Sequence, residues 1–306
     1  MSKVKIYWML VGVMFVWGAN VPMLKFIGTH VPPVTVTGIR ILMASLTVFL
    51  ILKLFKILRL PTRREWNYIL IGSLSNVWLH HLFLNLGLAE TSATSGGLIL
   101  GMGPILTAIS AAIFLKYFPS KLQWLGLFLG ISGVTIAVLV GSNGLDTNIG
   151  DLYIFISILS QVLSYMVVVK AARTLDPRVM TAYMMGVGSI GLIITSLIME
   201  PGGMVEFLDA PPLFWLIFLA SGLISTAIGH MIYNYAIGKA GATQSAIFMN
   251  LNPLFAMILS SLFLGEILTI RHFVGFLLIV AGVMLGSGAA EDLYKKHKAK
   301  RTIPTE

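Results

Sequence analysis

Long stretches of apolar residues alternate with short polar, proline- or glycine-containing breaks along the whole chain. A helix needs about 20 such residues to cross a hydrocarbon core about 30 Å thick. The stretches are too long and too uniformly apolar for the strands of a membrane β-barrel. The pattern therefore predicts an all-α integral membrane protein with ten transmembrane helices, at residues 6–28, 34–52, 67–88, 92–115, 122–141, 151–172, 179–199, 212–237, 242–264 and 270–289.

The composition excludes a water-soluble protein. Hydrophobic residues make up 57% of the 306 residues and charged residues 11%, whereas a soluble domain carries about 25% charge. The chain has no Cys, which excludes disulfides and thiolate chemistry. The first apolar stretch contains Trp17, Asn20 and Pro22 and is too long for the core of a signal peptide, so we expect it to be retained.

The basic residues indicate the orientation of the chain. If the N-terminus is cytoplasmic, all but three of the 21 Lys and Arg fall on the cytoplasmic side; Arg271 lies in an outer loop, and Lys25 and Arg40 lie within spans. This bias follows the positive-inside rule and predicts a plasma-membrane protein with both termini in the cytoplasm. The basic residues at 295–301 then indicate an anchor at an anionic leaflet, and no nucleic-acid partner is expected.

The chain repeats itself at a spacing of 149 residues. Between positions 81 and 134 this shift aligns 12 identical pairs without a gap. Shared apolar composition does not explain why polar and helix-breaking residues match in register. The most informative pairs are His81 with His230, Asn85 with Asn234, Pro104 with Pro253, Gly126 with Gly275, and Gly133 with Gly282.

Each half contains five predicted spans, an odd number, so the second half must enter the membrane inverted. The prediction is a first five-helix repeat at residues 1–145, a second, inverted five-helix repeat at 146–290, and a basic cytoplasmic tail at 291–306. Inverted repeats of this kind underlie alternating access in many transporters, with the substrate near the midplane between them.

Several short motifs resemble a known family. They are Trp17-Gly18-Ala19-Asn20, Gly38-Ile39-Arg40, Asn252-Pro253, Leu264-Gly265-Glu266, and Gly275 followed by Gly282. With ten spans and a five-plus-five repeat, the chain resembles the EamA family of the drug/metabolite transporter superfamily. The resemblance implies a permease of ten helices and leaves its cargo open, because members share a fold more than a substrate.

Polar residues inside the spans are candidates for the transport pathway, because they are costly against lipid and should face a wet cavity or the protein interior. His81 and Asn85 share one helix face, as do His230 and Asn234. The alternative is that they form hydrogen bonds between helices. The predicted cavity residues are Trp17, Asn20, Trp78, His81, Asn85, Met102, His230, Tyr233, Asn234, Asn250 and Asn252.

Pro22, Pro104 and Pro253 lie within spans and each frees a backbone carbonyl. We predict hinges beside the pathway at these prolines, the alternative being simple kinks that improve packing.

Arg40 could meet an anionic group of the substrate. The structural alternative, which we favour, is that its side chain extends to the membrane surface (snorkels) or donates hydrogen bonds to loop carbonyls.

Absences narrow the function. No Asp or Glu lies in the middle of a span, and the chain has no glycine-rich ATPase loop or metal-binding cluster. No catalytic residue, metal or cofactor is therefore predicted. We expect a secondary transporter, an exporter of an amino acid or a similar neutral or zwitterionic metabolite, with protons as a candidate coupling ion carried by the histidines. The alternatives are an uncoupled facilitator, a multidrug-type exporter and, least favoured, an intramembrane enzyme.

Overall fold

The structure is a computed structural model that describes residues 3–90, 99–138, 149–264 and 270–287, and every regular element in these ranges is a helix. The first half holds α1 (Lys3–Gly28), α2 (Pro33–Leu54), α3 (Arg63–Gly72), α4 (His80–Glu90), α5 (Gly103–Leu115) and α6 (Lys121–Val138). The second half holds α7 (Ile149–Ala171), α8 (Pro177–Met199), α9 (Gly203–Leu208), α10 (Pro212–Ala220), α11 (Gly229–Ala240), α12 (Ala242–Ala246), α13 (Leu251–Leu264) and α14 (Ile270–Gly286).

Two of the rods contain a π-helical segment. Ser73–Leu79 joins α3 to α4, and Ser221–Ile228 joins α10 to α11, so each pair forms one continuous helix. A 3-10 turn at Ile247–Asn250 joins α12 to α13 in the same way. A π-helical segment adds a residue to a helical turn and often occurs at functional sites. The two segments occupy equivalent places in the two halves.

Six helices in the described ranges are long and apolar enough to cross a membrane by length and composition. They are Lys3–Gly28, Pro33–Leu54, Arg63–Glu90, Ile149–Ala171, Pro177–Met199 and Pro212–Ala240. The all-helical membrane class expected from the sequence is confirmed, while the count of ten spans and their inverted arrangement stay predictions. Gly265-Glu266, Gly97 and the tail at 291–306 lie outside the described residues.

Local signals fix where the helices begin. Pro33, Pro177 and Pro212 each occupy the first helical position, where the missing N–H of proline costs nothing. Thr62 and Glu65 form a capping box at the start of α3. The capping box has the largest effect, because α3 begins at Arg63, four residues before the apolar stretch predicted at 67–88.

Contacts between distant loops sort the loops into two ends of the molecule. At one end, Arg59 donates to the carbonyl of Thr174 at 2.8 Å. Four basic side chains, those of Arg64, Lys116, Lys170 and Arg173, also line one shallow pocket at that end. At the other end, the Glu200 carboxylate accepts from the Thr35 backbone N–H at 2.7 Å. These contacts join loops that the predicted topology places on the same side.

The two halves contact each other along two helix pairs in particular, α2 with α8 and α6 with α14. Glycines let α6 and α14 approach closely. A Cβ on Gly282 would lie 2.5 Å from the Gly130 nitrogen and 2.7 Å from the Gly126 carbonyl oxygen. Small residues at a crossing allow this kind of packing in membranes.

Candidate functional site

A cavity of about 430 Å³ lies where the two halves meet. Its volume is in the range of pockets that hold small organic ligands. Most of its wall is apolar, from residues such as Leu84, Leu88, Leu100, Val134 and Ile158. Its polar lining is Trp17, Asn20, Arg40, His80, His81, Gln161, Ser225, Thr226, His230, Asn250 and Asn252, and among the described residues no Asp or Glu lines it.

The cavity occupies one end of the helix bundle. The α1 residues that line it run from Trp17 to Leu24, in the second half of that helix. Leu24 and Leu88, at its rim, are 37% and 48% exposed. The cavity therefore faces the end at which α1 ends and α2 begins, the end that the charge pattern places outside the cell.

The other end of the bundle is closed by a packed layer, which we name the closing layer: Leu10, Met14, Tyr165, Tyr233 and Ile237, each at most 2% exposed. The rings of Tyr165 and Tyr233 meet edge to face with centroids 5.6 Å apart. The Tyr233 ring also lies 5.0 Å from that of Trp17, at the floor of the cavity. Among the described residues, this layer blocks the cavity at that end, while the rim at Leu24 and Leu88 lies at the other end.

Arg40 is the charged residue of the cavity wall. Its side chain is only 5% exposed, and its Nη1 donates to Thr226 Oγ1 at 2.7 Å. Its Nε has no hydrogen-bond partner among the described residues. The snorkelling or loop-capping role expected from the sequence is wrong: the Arg40 side chain is buried, and its hydrogen bond goes to Thr226 within the bundle and to no described loop carbonyl.

The π-helical segment Ser221–Ile228 supplies two of the polar groups. Its altered backbone turns the carbonyl of Ser225 toward α1, where it accepts from Trp17 Nε1 at 2.9 Å. The next residue, Thr226, accepts from Arg40, and its own hydroxyl donates to the Ser221 carbonyl at 3.0 Å. The segment therefore connects the second half to both α1 and α2.

Three histidines face the cavity with different partners. His80 is held by α7: its Nε2 is 2.9 Å from Gln161 Nε2 and its Nδ1 is 2.8 Å from Ser157 Oγ. Since the Gln161 amide nitrogen donates, His80 Nε2 accepts and its proton lies on Nδ1. His230 Nδ1 is 3.0 Å from the Thr226 carbonyl oxygen. The ring of His81 lies 4.8 Å from that of His80.

Two asparagines leave polar atoms without partners in the described part of the chain. They are Asn20 Oδ1, an acceptor, and Asn250 Nδ2, a donor. Both side chains are buried, at 8% and 2% exposure, and both line the cavity. Buried polar atoms are nearly always hydrogen-bonded in native structures, so these atoms are candidates for ligand contacts.

The structure brings together six of the eleven residues predicted for the cavity: Trp17, Asn20, His81, His230, Asn250 and Asn252. Of the predicted hinges, Pro104 and Pro253 line it and Pro22 does not. Leu100 with Met249, Gly101 with Asn250, Pro104 with Pro253, and His81 with His230 are four pairs of lining positions that are 149 residues apart.

The five other predicted residues lie outside the lining. Trp78 donates to Thr195 Oγ1 at 3.0 Å, Asn85 to the Pro33 carbonyl at 3.4 Å and Asn234 to Thr181 Oγ1 at 3.0 Å, so all three connect helices. Tyr233 belongs to the closing layer, and Met102 is 40% exposed outside the cavity. Trp78, Asn85 and Asn234 are therefore placed as in the alternative given above, in which polar side chains form hydrogen bonds between helices.

Three lining residues were not predicted from the sequence: Gln161, Ser225 and Thr226. Gln161 carried a usable signal, because an amide in the middle of an apolar stretch is costly against lipid. Ser225 and Thr226 carried none, because small hydroxyl residues occur throughout membrane helices. Their role depends on a π-helical segment that periodicity does not reveal.

Comparison with known proteins places this fold among transporters. A family model described as the EamA-like transporter family matches residues 4–139 and 148–287. The uncharacterized transporters YyaM and YvbV of Bacillus subtilis (strain 168) are 29% and 28% identical to this chain; the alignments cover 94% and 93% of it and 95% and 92% of them. One solved crystal structure aligns with a TM-score of 0.80 over 95% of this chain and 99% of that chain, at 15% identity, which shows a shared fold.

Proposed function

This chain belongs to the EamA-like transporter family, as its motifs indicated, and we propose that it moves a small organic metabolite across the plasma membrane by alternating access. The two halves would act as the inverted repeats predicted at residues 1–145 and 146–290. The proposal has the chain exporting its substrate, with both termini in the cytoplasm. A small-molecule substrate in a membrane is what a transporter family implies.

The cavity between the halves is the observation that carries the proposal. Four pairs of its lining positions are 149 residues apart, so equivalent places in the two halves face one chamber. The π-helical segments Ser73–Leu79 and Ser221–Ile228 also come just before the paired residues His81 and His230. Such correspondence is what transport through a site shared by two repeats requires.

The difference between the two ends of the cavity, as the described residues show them, supports alternating access. One end is open at Leu24 and Leu88, and the other is blocked by the closing layer around Tyr165 and Tyr233. To release or admit substrate at the blocked end, the closing layer must separate while the open end contracts. If the repeats are inverted, that second state follows from exchanging the conformations of the two halves.

The lining supports a neutral, zwitterionic or acidic metabolite over a cationic drug. A cationic drug is best held by a buried acid as a counter-ion, and no Asp or Glu lines the cavity within the described ranges. An amino acid or a similar compound fits the mixture of apolar wall and amide groups.

Proton coupling, if present, would rest on His81 and His230, and the double variant with Gln at both positions would remove it. If the double variant retains the same pH dependence of transport, the histidines do not couple it.

Counterflow in proteoliposomes tests the proposed activity. Vesicles that contain the purified chain and an unlabelled metabolite mixture should accumulate a labelled metabolite, while vesicles without protein should not. If no amino acid or related metabolite exchanges, the proposal of transport fails.

Alternating access has its own test, because the chain has no native Cys. Ala256→Cys lies in the cavity wall, whereas Ala236→Cys lies at the blocked end, where Ala236 is 0% exposed. A thiol reagent should react faster at position 256, and a condition that speeds the reaction at 236 should slow it at 256. If both positions change in the same direction, alternating access is wrong.

A further inference from the structure

We propose that Arg40 is the anion-binding residue of the cavity and that the transported molecule carries a carboxylate group. The inference rests on the proposed function, because it assigns the substrate class to the same cavity. The observation that carries it is a guanidinium that is almost fully buried, lines the cavity and has no acidic partner there.

A buried charge without a counter-charge is expensive, and native structures normally pair it with an opposite charge. Even two arginines that are partly exposed pair with an acid: Arg59, 42% exposed, with Glu65 at 2.6 Å, and Arg178, 32% exposed, with Asp176 at 2.7 Å. Arg40 instead has one neutral hydrogen bond, to Thr226. Within the described residues, the charge that would compensate Arg40 is missing, and the cavity is the place where a ligand can supply it.

The free atoms around the cavity fit a carboxylate. Arg40 Nε and Asn250 Nδ2 are both buried hydrogen-bond donors without partners in the described ranges. A carboxylate has two oxygens that accept hydrogen bonds, and it forms strong charge-assisted bonds with a guanidinium. One cation supported by neutral donors matches a singly charged group better than a phosphate monoester, which carries about two negative charges at neutral pH.

The other lining residues indicate the chemistry of the rest of the transported molecule. Leu84, Leu100, Val134 and Ile158 form an apolar wall that would contact a hydrocarbon or aromatic body. Asn20 Oδ1 is a neutral acceptor that could take a hydroxyl or amino donor. Because no acid in the described part of the chain lines the cavity, an ammonium group has no counter-ion among these residues, and we expect the carboxylate to be required and the ammonium to be dispensable.

Three probes that share a phenylethyl group separate these requirements: 3-phenylpropionate, 3-phenylpropionamide and phenethylamine carry a carboxylate, an amide and an ammonium. Acetate and 4-methylpentanoate vary the apolar body, and inorganic phosphate tests a free anion. Binding is measured on the purified chain in detergent by intrinsic tryptophan fluorescence and by the shift in unfolding temperature. At least one organic carboxylate should bind about tenfold more tightly than the amide, the ammonium compound and phosphate.

Variants then test the residue. Arg40→Gln should weaken carboxylate binding by at least about tenfold and leave the weak binding of the amide unchanged. Arg40→Lys keeps the charge and should retain part of the affinity. Asn250→Ala removes the neutral donor and should cost less than Arg40→Gln, and it serves if Arg40→Gln does not fold. Leu46→Ala, at a side chain that is 61% exposed away from the cavity, is the control.

The outcomes distinguish the two proposals. If wild-type protein binds the amide as well as every carboxylate, or if the Arg40 variants that fold bind carboxylates like wild type, the carboxylate inference is overturned. If carboxylates bind and depend on Arg40, yet no labelled carboxylate shows counterflow, the inference holds and the transport proposal fails.

Discussion

Trp17 donates its indole N–H to the carbonyl oxygen of Ser225, and the two atoms are 2.9 Å apart. Ser225 Oγ in turn donates to the Val16 carbonyl at 3.3 Å. These two bonds join α1 in the first half to the π-helical segment in the second. Trp17 and Ser225 form the floor of the cavity together with His230, whose ring centroid lies 4.9 Å from that of Trp17.

Trp17→Phe tests this connection. The change keeps an aromatic ring but leaves the Ser225 carbonyl without its indole donor, so we expect a loss of about 1 kcal/mol in the free energy of unfolding. Trp8→Phe is the matched control, because Trp8 is 71% exposed and should be nearly neutral. Thermal unfolding of both variants in detergent measures the difference, and equal unfolding temperatures would contradict the stabilising role of the bond.

The crossing of α6 and α14 depends on glycine. A Cβ on Gly126 would lie 2.6 Å from the Gly286 Cα, and backbone cannot move aside as a flexible side chain can. We expect Gly126→Ala to lower stability by about 1–3 kcal/mol, because the two helices must separate. Gly12→Ala is the control: nothing lies within 4 Å of its Cβ, and it should be neutral or slightly stabilising. The contrary result would be a Gly126→Ala variant as stable as Gly12→Ala.

Asp176 caps α8 and pairs with Arg178, which predicts a pH dependence. Burial raises the pKa of Asp176, but hydrogen bonds and charge from Arg178 outweigh it, so the pKa lies below its ordinary 3.8. A lowered carboxyl pKa gives stability that is complete above the unfolded-state value and is lost as the pH falls through the folded-state value. Asp176→Ala should therefore cost about 1 kcal/mol at neutral pH.

The size of this loss should stay constant down to about pH 5 and shrink below about pH 4, where the carboxyl is protonated first in the unfolded chain and then, at lower pH, in the folded protein. Thermal unfolding of wild type and variant across this range measures it. Asp209→Ala, at an exposed residue, provides the comparison. A difference between wild type and Asp176→Ala that grows on acidification would show that the sign is wrong.

The orientation of the chain can be read from single cysteines, since the chain has none of its own. Leu208 is 71% exposed in α9 and Leu60 is 83% exposed between α2 and α3. If both termini are cytoplasmic, an impermeant thiol reagent should label Leu208→Cys on intact cells and Leu60→Cys only after permeabilisation. The reverse pattern would mean that the cavity faces the cytoplasm.

Much of the fold could be predicted from the sequence, because whether a segment enters a membrane depends on its own apolar length. The stretch predicted at 179–199 is α8 (Pro177–Met199), and the stretch at 34–52 is α2 (Pro33–Leu54). The start of α3 at Arg63 lies four residues before the predicted stretch, because the capping box at Thr62 extends the helix into polar sequence. The family could also be predicted from the sequence, because the motifs that indicate it are short runs of neighbouring residues.

Part of the site was also visible. The repeat at 149 residues paired His81 with His230 and Pro104 with Pro253, and all four line the cavity. Repetition of rare polar and helix-breaking residues marks positions that are equivalent in both halves, and equivalent positions meet where the halves meet.

The sequence by itself determined the class of protein, the approximate spans and these paired positions, since all of them depend on composition and spacing along the chain. Only the tertiary structure decided which neighbour each side chain meets. Trp78, predicted for the cavity, lies within the π-helical segment Ser73–Leu79, where the 3.6-residue period does not hold, and its ring packs on Gly191. Arg40 is buried because α2 packs against the second π-helical segment at Thr226. The two residues in contact are 186 positions apart in the sequence.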